Sequence, residues 1–134
     1  MNNQKRLTYL TPPGFPKPVA LYSYGVKVRP GASLIFVSGL GPVDDEGRGL
    51  IGFDIYTQTC RVMDRIKKVL EEAGATMDDI VNMRVELTDV ENWEGCCKAY
   101  SKYFKTPPTV VLEAGSGFTY GPGQLVEIEV IAAV

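Results

Sequence analysis

Lys105-Thr106-Pro107-Pro108-Thr109-Val110-Val111-Leu112-Glu113, a glycine-rich loop from Gly115 to Gly123, and Leu125-Val126-Glu127-Ile128-Glu129-Val130-Ile131-Ala132-Ala133 together decide the fold. The two flanking runs read as β-strands, each presenting a carboxylate, around a turn placed to shape a pocket. In the second run, period-2 alternation sends Glu127 and Glu129 to one side with Leu125 and Ile131, and Val126, Ile128 and Val130 to the other. One face is apolar and must be covered, while the other carries charge.

Val81-Asn82-Met83-Arg84-Val85-Glu86-Leu87-Thr88 alternates strictly and predicts a third strand of the same kind, with Arg84 and Glu86 on one face. From Asp54 the period is helical. Ile55, Cys60, Val62, Met63, Ile66, Val69, Leu70 and Ala73 form an apolar stripe, Asp54 suits the N-cap, and Gly74 suits the C-terminal stop. A second helix is expected from about Asn92 to Phe104, with Trp93, Cys96 or Cys97, Tyr100 and Phe104 inward. Nearer the start, Tyr22 to Val28 and Ser33 to Ser38 flank Pro30-Gly31 and read as a hairpin. Asp44 to Gly47 forms a solvated turn before a short strand at Leu50-Ile51, and prolines 12, 13, 16 and 18 mark residues 1–18 as an extended surface arm. The order is β-β-(short β)-α-β-α-β-β. This is an α+β single domain over 1–134, with two helices on one face of a single mixed β-sheet. The charged face then needs water or partner chains.

Composition narrows the function. A chain of 134 residues with 45% hydrophobic residues can bury one core unaided. Its longest apolar runs fall far short of the roughly 20 residues of a membrane helix. No membrane contact and no secretion signal are expected, which points to the cytoplasm. Formal net charge is −2 with scattered Lys and Arg, so no nucleic acid partner is expected. The three cysteines lack CxxC spacing and histidine is absent, which argues against a zinc site and removes histidine-based catalysis. Adjacent Cys96 and Cys97 point about 100° apart on a helix and are poorly placed for a disulfide. Proton transfer is left to Glu, Asp, Tyr, Lys, Cys or a held water.

With Phe36-Val37-Ser38-Gly39 and the helix from Asp54, these strands resemble the RidA/YjgF family of small trimeric enamine and imine deaminases, from Tyr22 to the end of the chain. The resemblance implies the family's chorismate-mutase-like fold, a homotrimer, no cofactor and no metal, and a small-molecule ligand at clefts between subunits. Tyr22 matches the tyrosine of the family's G-P-Y segment, Gly39 the glycine of its S-G-Q segment, and Glu129 its last-strand acidic residue. Glu129 is then a general acid/base that holds water, with Tyr22 beside it. On the residues alone, Glu129 reads as a surface or interface carboxylate and Tyr22 as a packed aromatic.

Two positions depart from the pattern. Cys97 stands where many relatives have asparagine, and Thr109 stands where the deaminases have the arginine thought to clamp a 2-imino acid carboxylate. Losing a charged hydrogen bond costs about 1.5 to 3 kcal/mol, or one to two orders of magnitude in affinity. The implied function is hydrolysis of a reactive enamine or imine other than the usual 2-imino acids, and the alternative is a non-catalytic small-molecule-binding trimer. The ligand-binding set read from the sequence is Gly39, Cys97, Thr109 and Val111, with Phe118 and Tyr120 walling the cleft from the glycine-rich loop. Arg84 is a candidate replacement guanidinium, though charges alternating along a strand more often pair with each other.

Overall fold

A computed structural model describes residues 6–115, 117 and 122–134. Four strands form a mixed sheet: β3 (Leu34–Leu40), β6 (Val126–Ala133), β4 (Ile80–Leu87) and β5 (Thr109–Ala114), in that spatial order. β6 runs antiparallel to both neighbours and β4 pairs with β5 in parallel. A parallel neighbour needs a crossover, and α2 (Trp93–Ser101) supplies it. β1 (Leu7–Leu10) and β2 (Gly25–Val28) form a separate antiparallel ribbon. No helix among the described residues is long and apolar enough to cross a membrane.

The first helix, α1 (Ile55–Glu72), has the boundaries its sequence predicts. Asp54 accepts a hydrogen bond from Thr57 N at 2.8 Å, and Gly74 turns the chain out at φ +74°. Val62, Met63, Ile66 and Leu70 are buried against the sheet residues Met83, Val85, Ile128 and Val130. Val69 belongs to the predicted stripe but is 41% exposed, since the buried face is centred on the line through 59, 62, 66 and 70. α2 crosses α1 at Gly95, where an added Cβ would stand 2.7 Å from Ile55 Cγ2. Its inner residues are Cys96, Ala99 and Tyr100; Trp93 is exposed, and Phe104 packs on the core from beyond the helix end.

Three expectations near the N-terminus are corrected. The hairpin between Tyr22–Val28 and Ser33–Ser38 does not form: β2 pairs with β1, matching Leu7 to Val28 and Tyr9 to Val26, while β3 goes to β6. Gly31, at φ +85°, lets the chain leave one sheet and enter the other. The surface arm therefore contains a strand, anchored by buried Leu7 and by an ion pair from Arg6 to Asp79. Leu50-Ile51 is not a strand either. Among the described residues the only pairing there is a single bridge from Val43 to Gly49, and Arg61 Nε and Arg65 donate to the carbonyls of Val43 and Gly41 at 2.5 and 2.6 Å. These bonds hold the loop on α1 instead of in the sheet.

Gln58 of α1 is fully buried, yet polar. Its Nε2 donates to the carbonyls of Phe53 and Gly123, both at 2.9 Å, and its Oε1 accepts from Leu125 N at 2.9 Å. One side chain thus ties the start of α1 to the entry of β6.

Candidate functional site

The helices cover one face of the sheet and leave the other open. The period-2 rule places on the open face Phe36 and Ser38 from β3, Glu127, Glu129 and Ile131 from β6, Asn82, Arg84 and Glu86 from β4, and Thr109, Val111 and Glu113 from β5. Register then sets neighbours. Arg84 lies between Glu129 on one side and Val111 on the other, and Asn82 between Ile131 and Thr109. The β3–β6 pairing shifts between Val37 and Leu40, so Ser38 and Gly39 bulge beside the β6 carboxylates. A Cβ on Gly39 would touch Glu127 Cδ at 3.4 Å, an ordinary contact, which sets Gly39 directly beside this carboxylate.

A recess of about 220 Å³ opens here, lined by residues that include Phe36, Ser38, Asn82, Glu129 and Ile131. A smaller one of about 40 Å³ adjoins it, bounded by Gly39, Arg84, Glu86, Glu127 and Glu129. Glu129 belongs to both. Arg84 reaches Glu86 at 3.2 Å, Glu113 at 2.9 Å and Glu129 at 3.8 Å. Its guanidinium is held above its ordinary pKa, first by the charge of Glu113 and then by the hydrogen bond to Glu86. It is engaged by the protein's own carboxylates.

Partial burial raises the pKa of Glu127, and the charges of Glu86 and Glu129 raise it further. The folded chain therefore keeps a proton that the unfolded chain releases as pH climbs past the ordinary value of 4.5, so ionised Glu127 subtracts stability at neutral pH. Glu127→Gln is expected to stabilise the protein at pH 7 by up to about 0.5 kcal/mol. The gain should vanish below the unfolded-state pKa, where both side chains are neutral. Urea melts of the two proteins at pH 7 and at pH 4 check this, and a gain of equal size at both would refute it.

The remaining residues read from the sequence fall in several places. Thr109 sits on the open face, but its hydroxyl is committed: it donates to Val81 O at 2.8 Å and accepts from Asn82 Nδ2 at 2.9 Å. Val111 flanks Arg84 and is exposed. Tyr22 lies just before β2, its ring edge-on to Tyr24 at 5.5 Å, and Ser23 next to it bonds the carbonyls of Pro107 and Pro108. It stands at the entry of β5, apart from the residues that line the Glu129 recess. Cys97 is on the helical side of the sheet, where its sulfur accepts from Tyr100 OH at 3.2 Å and burial raises its pKa. The Cys96 thiol is pushed up to about 12 by burial. Neither is a thiolate at neutral pH. Phe118 and Tyr120 lie outside the described residues.

Asn82, Phe36 and Ser38 line the recess and were given no site role from the sequence. A signal existed for Asn82: the alternation that pairs Arg84 with Glu86 also includes the residue two places earlier. Nothing local marks Phe36 or Ser38, because their nearness to Glu129 depends on β3 pairing with β6.

Residues 14–134 match the family model described as Endoribonuclease L-PSP. A RutC family protein of Saccharolobus solfataricus is 41% identical over 119 residues, covering 87% of this chain and 90% of its own. Another from Pyrococcus abyssi is 38% identical over 119 residues, 87% and 89% of the two chains. Among solved structures, a Rid family protein from Yersinia pestis superposes with a TM-score of 0.84 at 22% identity, over 97% of this chain and 100% of that one, a likeness of fold. A YjgF/YER057c/UK114 family member from Mycobacterium tuberculosis gives 0.62 at 33% identity, over 84% and 86%.

Proposed function

The chain belongs to the Endoribonuclease L-PSP family, with RutC and RidA/YjgF proteins as its relatives, and on that premise we propose that it is a RidA-like hydrolase of a reactive enamine or imine other than the ordinary 2-imino acids. The observation that carries this reading is Glu129 at the junction of the two recesses on an otherwise uncovered sheet face. Its carboxylate takes a proton from a water as the oxygen attacks the carbon of the protonated imine, passes that proton to the carbinolamine nitrogen, and takes the remaining hydroxyl proton as the carbonyl forms and the C–N bond breaks. The products are a carbonyl compound and ammonia, and an enamine first tautomerises to the imine. Gly39 bounds the smaller recess beside Glu129, and Tyr22, apart from both recesses within one chain, would reach the cleft only from a neighbouring copy.

The cleft is completed by further copies of the chain, as a homotrimer. Leu34, Phe36 and Val111 are large apolar side chains exposed on the open face, which supports packing of that face against a partner. The free state of all three cysteines fits a reducing compartment such as the cytoplasm. Ribonuclease action, suggested by the family description, is disfavoured by charge: one arginine stands among Glu86, Glu113, Glu127 and Glu129, and such a face repels a phosphate backbone.

The test is turnover of 2-iminobutanoate and a panel of uncarboxylated imines by the purified protein and its Thr109→Arg variant. The wild type should hydrolyse the uncarboxylated imines. Thr109→Arg should gain roughly 10- to 100-fold on 2-iminobutanoate, the worth of one charged hydrogen bond. Wild-type silence on the whole panel, with 2-iminobutanoate turned over only by Thr109→Arg, would instead mean a non-catalytic binding protein.

A further inference from the structure

We propose that the recess beside Glu129 takes a cationic hydrogen-bond donor, an uncarboxylated iminium, and that Thr109 and Asn82 set this preference by turning an amide oxygen towards it. This deepens the hydrolase reading and rests on it. The hydrogen-bond inventory carries the inference. Thr109 spends its single proton on Val81 O, so its oxygen can only accept from Asn82. That requirement fixes which end of the Asn82 amide faces β5: Nδ2 does. The Oδ1 end is left to the other side, and no protein donor among the described residues meets it.

Asn82 and Glu129 line the same recess, which thus offers an amide oxygen and a carboxylate with no lysine or arginine in its wall. Arg84, the cation of this face, is bound by Glu113 through both carboxylate oxygens at 2.9 and 3.0 Å, and by Glu86 at 3.2 Å. To grip a substrate carboxylate it would have to leave them. Phe36, 72% exposed at the rim, adds an aromatic face, which attracts cations and not anions. Thr109 therefore does more than lack a positive charge. It orients a neighbour so that the site accepts one.

An iminium is also the better electrophile. Water attacks its carbon, Glu129 receives the water proton and passes it to the carbinolamine nitrogen, and Glu129 then takes the hydroxyl proton as the carbonyl forms and ammonia departs, so that a carbonyl compound and, once that proton is shed to ammonia, ammonium are released. No oxidant or cofactor enters the balance.

The experiment separates charge preference from turnover by titrating n-butylammonium and butanoate, ions of like shape and opposite charge that cannot be hydrolysed, against the isotope-labelled protein. Butylammonium should shift the resonances of Ser38, Asn82 and Ile131 and bind at least tenfold tighter than butanoate, less so as salt is added. Thr109→Val should shrink that ratio several-fold while the protein stays folded, and Glu129→Gln, a change at an exposed side chain, should shrink it further. Equal or tighter binding of butanoate, no binding of either ion, or an unchanged ratio in Thr109→Val would overturn the proposal. Failure of the hydrolase reading looks different: no imine is turned over, whichever ion binds.

Discussion

Glu129→Gln is expected to lower kcat for every imine the protein hydrolyses by about 10²- to 10⁴-fold, the usual worth of a positioned general acid/base. Glutamine keeps the shape and can still orient a water, but it cannot take the water's proton. Among the described residues no other carboxylate lines the large recess. Glu113 and Glu86 are engaged with Arg84, and Glu127 lines the small recess without touching the large one. Loss of the fold is not the cause to fear, because the Glu129 side chain is 54% exposed and its one ion pair, to Arg84, is long at 3.8 Å. A Glu129→Gln protein that melts like wild type and retains more than a tenth of its kcat would remove Glu129 from the chemistry.

The second large effect concerns stability. Gln58→Leu preserves volume approximately but removes the three hydrogen bonds by which a fully buried side chain holds the carbonyls of Phe53 and Gly123 and the N–H of Leu125. Each hydrogen bond is worth about 0.5 to 1.5 kcal/mol net, so a loss of about 2 to 4 kcal/mol is expected, or roughly 10 °C in Tm. Gln58→Glu should fare little better, since the two carbonyls need a donor. The consequence reaches the site, because Leu125 leads directly into β6, and β6 aims Glu127 and Glu129. Urea denaturation of the variant gives the figure, and a loss under 1 kcal/mol would mean that water takes over the three partners.

Much of the site was legible because strands repeat every two residues. Alternation alone grouped Glu127 with Glu129 and Arg84 with Glu86, and opposed them to the apolar set that the helices cover. The resemblance singled out Glu129, Gly39 and Thr109, which all prove to be on or beside the open face. It did not bring Tyr22 or Cys97 near the recess within one chain. Arg84, weighed as a replacement clamp, meets three glutamates of its own chain, and only register could reveal that.

By itself, then, the sequence determined which residues share a face, where α1 begins and ends, and that no histidine chemistry was open. These are local matters, governed by helical and strand periods and by capping. Tertiary structure alone decided which strand lies beside which. It gave β2 to β1 and β3 to β6, set Phe36 and Ser38 next to Glu129, and joined Thr109 to Asn82 across 27 residues of chain. Strand partners are chosen by long-range matching of whole faces, and the direction of the Asn82 amide is chosen by where one threonine proton is spent. Neither quantity is written in any short stretch of residues.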